Sequence, residues 1–236
     1  MTPRKEEDVF LSLVRLDGDI EVAELSPDME RRYLKMAGTK AEPEAAAKAM
    51  ASAEKTEAAK AAIAMKAAGI IRDGQTIVIG SGTTTFALAQ VLVDRELTVV
   101  TNALDIAQTL QDRDGIEVIV LGGSLRPGMH SLLGHLTEVG AQTMHAETLF
   151  MGIPAISIEQ GLMSDHTPEV LTDRALRRMA AHVVLLADST KFRRTGPAYV
   201  FGLEEINTVV TDEGIEDSVA GSLEDHGITV LIAETA

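Results

Sequence analysis

The feature that most constrains this chain is the alternation that begins after Gly69, where short β-branched runs are separated by helical stretches and by Gly or Asp turns. Parallel strands need long crossover connections and bury both faces, so this rhythm is the signature of a parallel sheet joined by helices. The apolar runs fall at Thr76 to Ile79, Leu97 to Val100, Glu117 to Leu121, Thr148 to Met151, Val183 to Ala187, Asn207 to Thr211 and Thr229 to Ile232. Helices are expected near Thr84 to Val93, Ala103 to Gln111, Gly134 to Met144, Pro168 to Ala181 and Glu216 to His226. At Thr167-Pro168-Glu169 a capping hydroxyl, a first-turn proline and an early acid mark a helix start. The expected fold class is α/β, a mainly parallel open sheet flanked by helices, over residues 60–236.

Upstream, Val9, Phe10, Leu13, Val14 and Leu16 keep a helical spacing, and a turn at Asp17-Gly18-Asp19 leads into the apolar segment Ile20 to Leu25. Residues 1–40 read as a small helical unit. Residues 41–59 are Ala-rich with interspersed Lys and Glu, a composition of high helix propensity suited to a linker helix.

Composition narrows the function. The net charge of −15 is spread along the chain, which opposes nonspecific attraction to nucleic acid or anionic lipid. Five Phe, two Tyr and no Trp leave few stacking platforms for single-stranded nucleic acid. With no cysteine there is neither a disulfide framework nor a thiolate metal site, and a reducing compartment suits the chain. The first residues lack the apolar core of a signal peptide, and no run of about eighteen apolar residues occurs. A cytoplasmic location without membrane attachment is the expectation.

Ligands of open parallel sheets sit at the carboxyl ends of the strands, which directs attention to the residues following each run. The first is followed by Gly80-Ser81-Gly82-Thr83-Thr84-Thr85, the second by Thr101-Asn102, the third by Gly122-Gly123-Ser124-Leu125-Arg126, the fourth by Gly152 and the fifth by Asp188-Ser189-Thr190-Lys191. In the first loop, glycines allow close backbone approach, amides are free at a helix start, and hydroxyls add donors, so a phosphate fits. The same residues also fit a simple helix cap by Thr83 or Thr84. The loop lacks the Lys of a Walker motif and the glycine spacing of the dinucleotide fingerprint. Gly122 and Gly123 can pass close to a ligand while Arg126 offers a fork of donors, or they form a tight turn with a surface arginine. Asp188 can accept sugar hydroxyls and Lys191 can neutralise phosphate, or both are solvated loop residues. None of the six histidines has the spacing of a zinc-binding helix face, so neither metal nor cofactor is expected.

These residues, in this order, resemble the DeoR family of sugar-responsive bacterial transcription regulators, whose sensor domain is similar to ribose-5-phosphate isomerase and coenzyme A transferases. The resemblance runs from about Ala59 to Thr211 and rests on Ser81 to Thr85, Val99 to Asn102, Leu121 to Arg126, Leu149 to Gly152 with Gly161-Leu162, and Leu186 to Phe192. It implies a non-enzymatic repressor of carbohydrate metabolism that binds a phosphorylated sugar effector and a DNA operator and assembles as a homo-oligomer. Ser81, Gly82, Thr83, Thr84 and Thr85 would hold phosphate, with Asn102, Gly122, Gly123, Arg126, Gly152, Asp188 and Lys191 around the sugar.

Three departures stand out. Ala155 occupies the place of a second glycine after the fourth strand, and Asp173, followed by Arg174, stands where many members carry lysine. The N-terminal helix-turn-helix is about six residues short of the family pattern. Residues 1–40 carry seven Lys or Arg against nine Asp or Glu, and Arg31 and Arg32 are the remaining candidates for a DNA-reading helix. Two alternatives follow: a sensor that acts through partner subunits without reading DNA itself, or a sugar-phosphate isomerase. The second requires a general base, yet Met151-Gly152-Ile153-Pro154-Ala155 has no carboxylate where related isomerases carry an acidic cluster, leaving Asp188 or Glu147 as substitutes.

Overall fold

The computed structural model describes residues 43–235, with side chains from Ser52 onward. The expected unit at 1–40, including Arg31 and Arg32, lies outside the described residues. The chain enters through helix α1 (Pro43–Ala68), then builds β1 (Thr76–Ile79), α2 (Thr83–Val91), β2 (Leu97–Thr101), α3 (Leu104–Leu110) and β3 (Ile116–Val120). A hairpin of β4 (Ser124–Leu125) and β5 (Leu132–Leu133) leads to α4 (His135–Gln142) and β6 (Ala146–Met151). After β7 (Ala155–Ser157) and β8 (Gly161–Ser164) come α5 (Thr167–Met179), β9 (Ala180–Leu186), β10 (Ala198–Tyr199), β11 (Thr208–Asp212), α6 (Asp217–Asp225) and β12 (Thr229–Ala233). A compact unit begins at Thr56, inside α1.

The main sheet has seven strands in the order β12-β11-β9-β6-β1-β2-β3. Every neighbouring pair in it is parallel. All seven strands lie where the apolar runs predict them. The alternation within each run sends successive side chains to opposite faces. Ile77, Ile79, Val99, Phe150, Val184, Leu186 and Val210 pack with Ile63, Ala64 and Ala67 of α1, Leu88 of α2, and Ile106 and Leu110 of α3. Val78, Val100, Leu149, Met151, Val183, Leu185 and Val209 meet Val170, Ala175, Leu176 and Met179 of α5, Leu223 of α6, and Ile156 and Leu162 of β7 and β8. Burying each such side chain contributes about 1.5–3 kcal/mol, so the two layers account for the paired apolar faces of the strands.

Three short strands form a separate antiparallel sheet in the order β10-β8-β7, and β4 pairs with β5. The sequence reading anticipates neither, because two- to four-residue strands are too short for their alternation to stand out. The start of α5 also differs from expectation. His166, not Thr167, occupies the cap position, and no side chain caps the helix. Ser164 Oγ instead accepts the His166 N–H at 3.0 Å. Among the described residues, no helix is long and apolar enough to cross a membrane.

Candidate functional site

The strand order reverses between β1 and β6. From β1 the chain moves outward through β2 and β3, then returns to the other side of β1 and continues from β6 to β9, β11 and β12. At such a switch point the connections leave toward opposite faces, and a crevice opens between them at the carboxyl ends of the strands. The β1 connection leads to α2 on one face, while the β6 connection leads through β7 and β8 to α5 on the other. Gly80 N–H donates to Phe150 O at 2.9 Å, which holds the first loop against the end of β6.

The loop after β1 leaves α2 without a side-chain cap. Gly82 occupies the cap position at φ 152°, ψ 158°, a conformation costly for any residue with a Cβ. Neither Thr83 nor Thr84 caps the helix, so the first amides of α2 remain available to an anion. Thr83 is exposed, whereas Thr84 and Thr85 are buried. Thr85 Oγ1 donates to Gly82 O at 2.9 Å, so this hydroxyl serves the loop rather than a ligand.

Asn102, expected beside the sugar, is 1% exposed and spends both ends of its amide within the protein. Its Oδ1 accepts Ser81 N–H at 3.1 Å and its Nδ2 donates to Leu132 O at 3.1 Å. Thr101 Oγ1 donates to Ile79 O at 2.7 Å and accepts Ala103 N–H at 3.0 Å. Together they lock the β1 and β2 ends into one frame.

Of the two glycines after β3, Gly123 is the one that internal packing requires. Gly123 has φ 148°, and a Cβ there would collide with Thr137 Oγ1 and lie 2.7 Å from Leu133 O. Its close approach is thus to β5 and α4, not to a ligand. Gly122 O accepts the Thr137 hydroxyl, while a Cβ at Gly122 would meet open space. Arg126 pairs with Glu169 of α5 at 2.7 Å, and Ser131 Oγ donates to the same carboxylate oxygen at 3.3 Å. Its charge is therefore already partnered. Gly152 at the β6 end is half-buried and crowded by nothing nearer than Leu186 O at 3.8 Å from a built Cβ.

At the β9 end, Asp188 is 2% exposed. Its Oδ1 accepts Thr190 N–H at 3.1 Å and the Thr190 hydroxyl. Oδ2 is shut from solvent without a hydrogen bond and lies 3.9 Å from Lys191 Nζ. Burial pushes Lys191 below the usual lysine range; Asp188 opposes that, Arg194 and Lys60 add to it, and Asp165 opposes it. A lysine placed among cations in this way gains from a bound anion.

Two supporting residues escape the sequence reading. Asp212, at the end of β11, accepts Ser189 N–H at 2.6 Å, Ser189 Oγ at 3.0 Å and Gly214 N–H at 3.0 Å, bracing the Asp188 to Lys191 loop. Its place after a strand was the available signal. Lys60 of α1 is 7% exposed and pairs with Glu57 at 2.7 Å. Its signal was a charge within the buried spacing of Ala59, Ile63, Ala64 and Ala67.

Neither Arg174 nor Arg126 is free to offset the charge of Asp173. Arg174 donates from Nε to Val200 O at 2.6 Å and from a terminal nitrogen to Tyr199 O at 2.9 Å. Arg126 is held by Glu169. The carboxyl of Asp173 is pushed up to about 7, first by burial and then by Glu169. Among the described residues no group of three or more His, Asp or Glu side chains gathers as metal ligands. An open depression of about 340 Å³ lies at the opposite, amino-terminal edge of β1 to β3, lined by Gly74, Glu96, Leu97, Thr98, Gly115 and Glu117. Its ionisable groups are both carboxylates, which does not suit an anion.

Comparison with known proteins identifies the family. The model of the DeoR C terminal sensor domain matches residues 55–213, and the chain belongs to this family. It is 30% identical over 176 residues to the putative aga operon transcriptional repressor of Escherichia coli O157:H7, covering 74% of this chain and 65% of that protein, just under two thirds of its length. It is 28% identical over 254 residues to the uncharacterized HTH-type transcriptional regulator YgbI of Escherichia coli K12, covering 99% of each. Among solved structures, ribose 5-phosphate isomerase A of Methanocaldococcus jannaschii aligns with a TM-score of 0.42 at 14% identity, over 56% of this chain and 53% of that one.

Proposed function

We propose that this chain is a transcriptional regulator, a repressor of carbohydrate metabolism, whose α/β unit binds a phosphorylated sugar in the crevice between the ends of β1 and β6. The observation that carries the reading is the uncapped start of α2, presented by Gly82 at the point where the strand order reverses. The phosphate sits on the Ser81 to Thr85 backbone, with Lys191 supplying positive charge. The sugar extends past Gly152 toward Asp188, whose Oδ2 makes no hydrogen bond in the protein and accepts a hydroxyl. Asn102 positions the loop through Ser81. Effector binding shifts the regulator between DNA-bound and released states, the operator being read by the N-terminal residues.

Catalysis has little support. Glu147 accepts Thr76 N–H at 2.8 Å, at the start of β1 and therefore at the edge opposite the crevice. The chemistry of an isomerase would fall to Asp188, whose Oδ1 is already held by Thr190. Thermal-shift measurements against paired phosphorylated and unphosphorylated sugars test the binding reading, because ligand at 100 times Kd adds about 2.7 kcal/mol of apparent stability. Stabilisation confined to phosphorylated compounds is expected. Equal shifts with unphosphorylated sugars would remove the phosphate from the site.

A further inference from the structure

Helix α5 carries Glu169, Asp173 and Leu176 at i, i+4 and i+7, which places them along one stripe. Both neighbours of Asp173 on that stripe are located by contacts. Leu176 Cδ1 lies 3.6 Å from a Cβ built on Gly80, directly beside the phosphate loop. Glu169 is joined to Arg126 at 2.7 Å. Asp173 therefore borders the crevice between the loop and the Arg126–Glu169 pair. It is enclosed by protein yet only partly covered, as a residue on the wall of a cleft is. Among the described residues its carboxyl makes no hydrogen bond and no ion pair, and Arg174, the adjacent cation, is committed to the β10 backbone.

An independent observation points to a ligand at the same end of the sheet. Asp188 is 2% exposed, and its Oδ2 is closed off from solvent without a donor. The crevice thus has two poles, the amides and Lys191 that suit an anion, and carboxylate oxygens that receive no hydrogen bond. The phosphate of an uncharged sugar satisfies the first pole but leaves the Asp173 carboxylate without a counter-charge. A ligand with an ammonium group satisfies both.

We propose that Asp173 makes this crevice selective for a phosphorylated amino sugar, with the phosphate on the Ser81 to Thr85 loop and the ammonium group on the Asp173 carboxylate. The inference rests on the phosphate reading given above. The charged group that acts on Asp173 is Glu169 on its own helix, itself paired with Arg126, while the loop from Gly80 to Thr85 brings no titratable side chain. A dianionic phosphate alone raises the proton affinity of Asp173, and an ammonium group lowers it. The preference for the amino sugar consequently grows as the pH rises through about 7, where the free carboxyl ionises.

Calorimetric titration of the full chain at pH 6 and pH 8 tests this with glucose 6-phosphate, glucosamine 6-phosphate, N-acetylglucosamine 6-phosphate, their galacto counterparts and inorganic phosphate. In at least one stereochemical series the amino compound should bind about tenfold or more tighter than its neutral and N-acetylated partners at pH 8, and less so at pH 6. Asp173→Asn should act in opposite directions, weakening the amino compound and strengthening the neutral one. A misfolded variant cannot produce that exchange. Equal affinity of amino and neutral compounds in both series, or a preference that survives in Asp173→Asn, overturns the proposal while leaving phosphate binding intact. Absence of binding by every phosphorylated compound and by inorganic phosphate overturns the phosphate reading and this inference with it.

Discussion

Asn102 and Asp173 show how far a side chain's chemistry depends on its neighbours. Asn102 follows the end of β2 and Asp173 lies within α5, yet Asn102 is consumed by Ser81 N–H and Leu132 O, whereas Asp173 is left without a hydrogen bond or ion pair. The raised affinity of Asp173 for its proton has a consequence for stability. Below the ordinary value of 3.8 both folded and unfolded chains hold the proton, and the contribution of neutral Asp173 is fully present. Between there and about 7 only the folded chain holds it, so stability falls as the pH rises. Asp173→Asn removes that dependence. The melting temperature of the variant should exceed that of the parent at pH 8 by more than at pH 5, each kcal/mol corresponding to about 2–4 °C in a domain of this size. A difference that is constant across the two pH values would show that Asp173 titrates normally.

At the scale of elements, α2 combines an N-terminal face that lacks a cap with a start fixed by contacts from two other segments and from its own first turn. Gly80 is tied to β6, Ser81 to the residue after β2, and Gly82 accepts from Phe86 N–H at 2.8 Å. This rigidity matters because an anion site built from amides works only when the amides already converge. Thr83→Asp places a carboxylate in the first turn, where it competes with a bound anion. It should stabilise the unliganded protein by about 0.3–1 kcal/mol through the helix dipole and eliminate the thermal shift caused by inorganic phosphate. An undiminished shift would place the anion elsewhere. The hairpin of β4 and β5 has a comparable role on the other side of the crevice, since Leu132 and Ser131 anchor Asn102 and Glu169.

For the whole molecule, the net charge of −15 sets the conditions under which DNA binding can be observed. Nonspecific affinity should be weak, because the chain as a whole is repelled by phosphate backbones. Operator binding, if it follows the proposed function, must come from local contacts and fall steeply with salt. Electrophoretic measurements with the full chain at low and moderate salt should show one operator sequence retained over random DNA. Addition of the effector should release it, and each tenfold loss of operator affinity corresponds to about 1.4 kcal/mol of coupling between the two sites. Retention of operator affinity at saturating effector would separate sensing from DNA release.

Much of this was legible in the order of residues. The seven apolar runs specify seven parallel strands because each must alternate between two buried layers, and Gly80 to Thr85 announces a strand-to-helix turn able to meet an anion. The family too is legible, since its motifs are short, ordered and local. Residues distant in sequence could be assigned partners only by the fold. Arg126 and Glu169 are 43 positions apart and pair across the crevice, Ser189 is braced by Asp212 from the neighbouring strand, and Gly123 owes its identity to Thr137 and Leu133 rather than to a ligand. Sequence spacing determines the faces of helices and strands because their periods are local. Which charges remain free to meet a ligand was decided by tertiary packing, because neutralisation depends on distances that only the folded chain establishes.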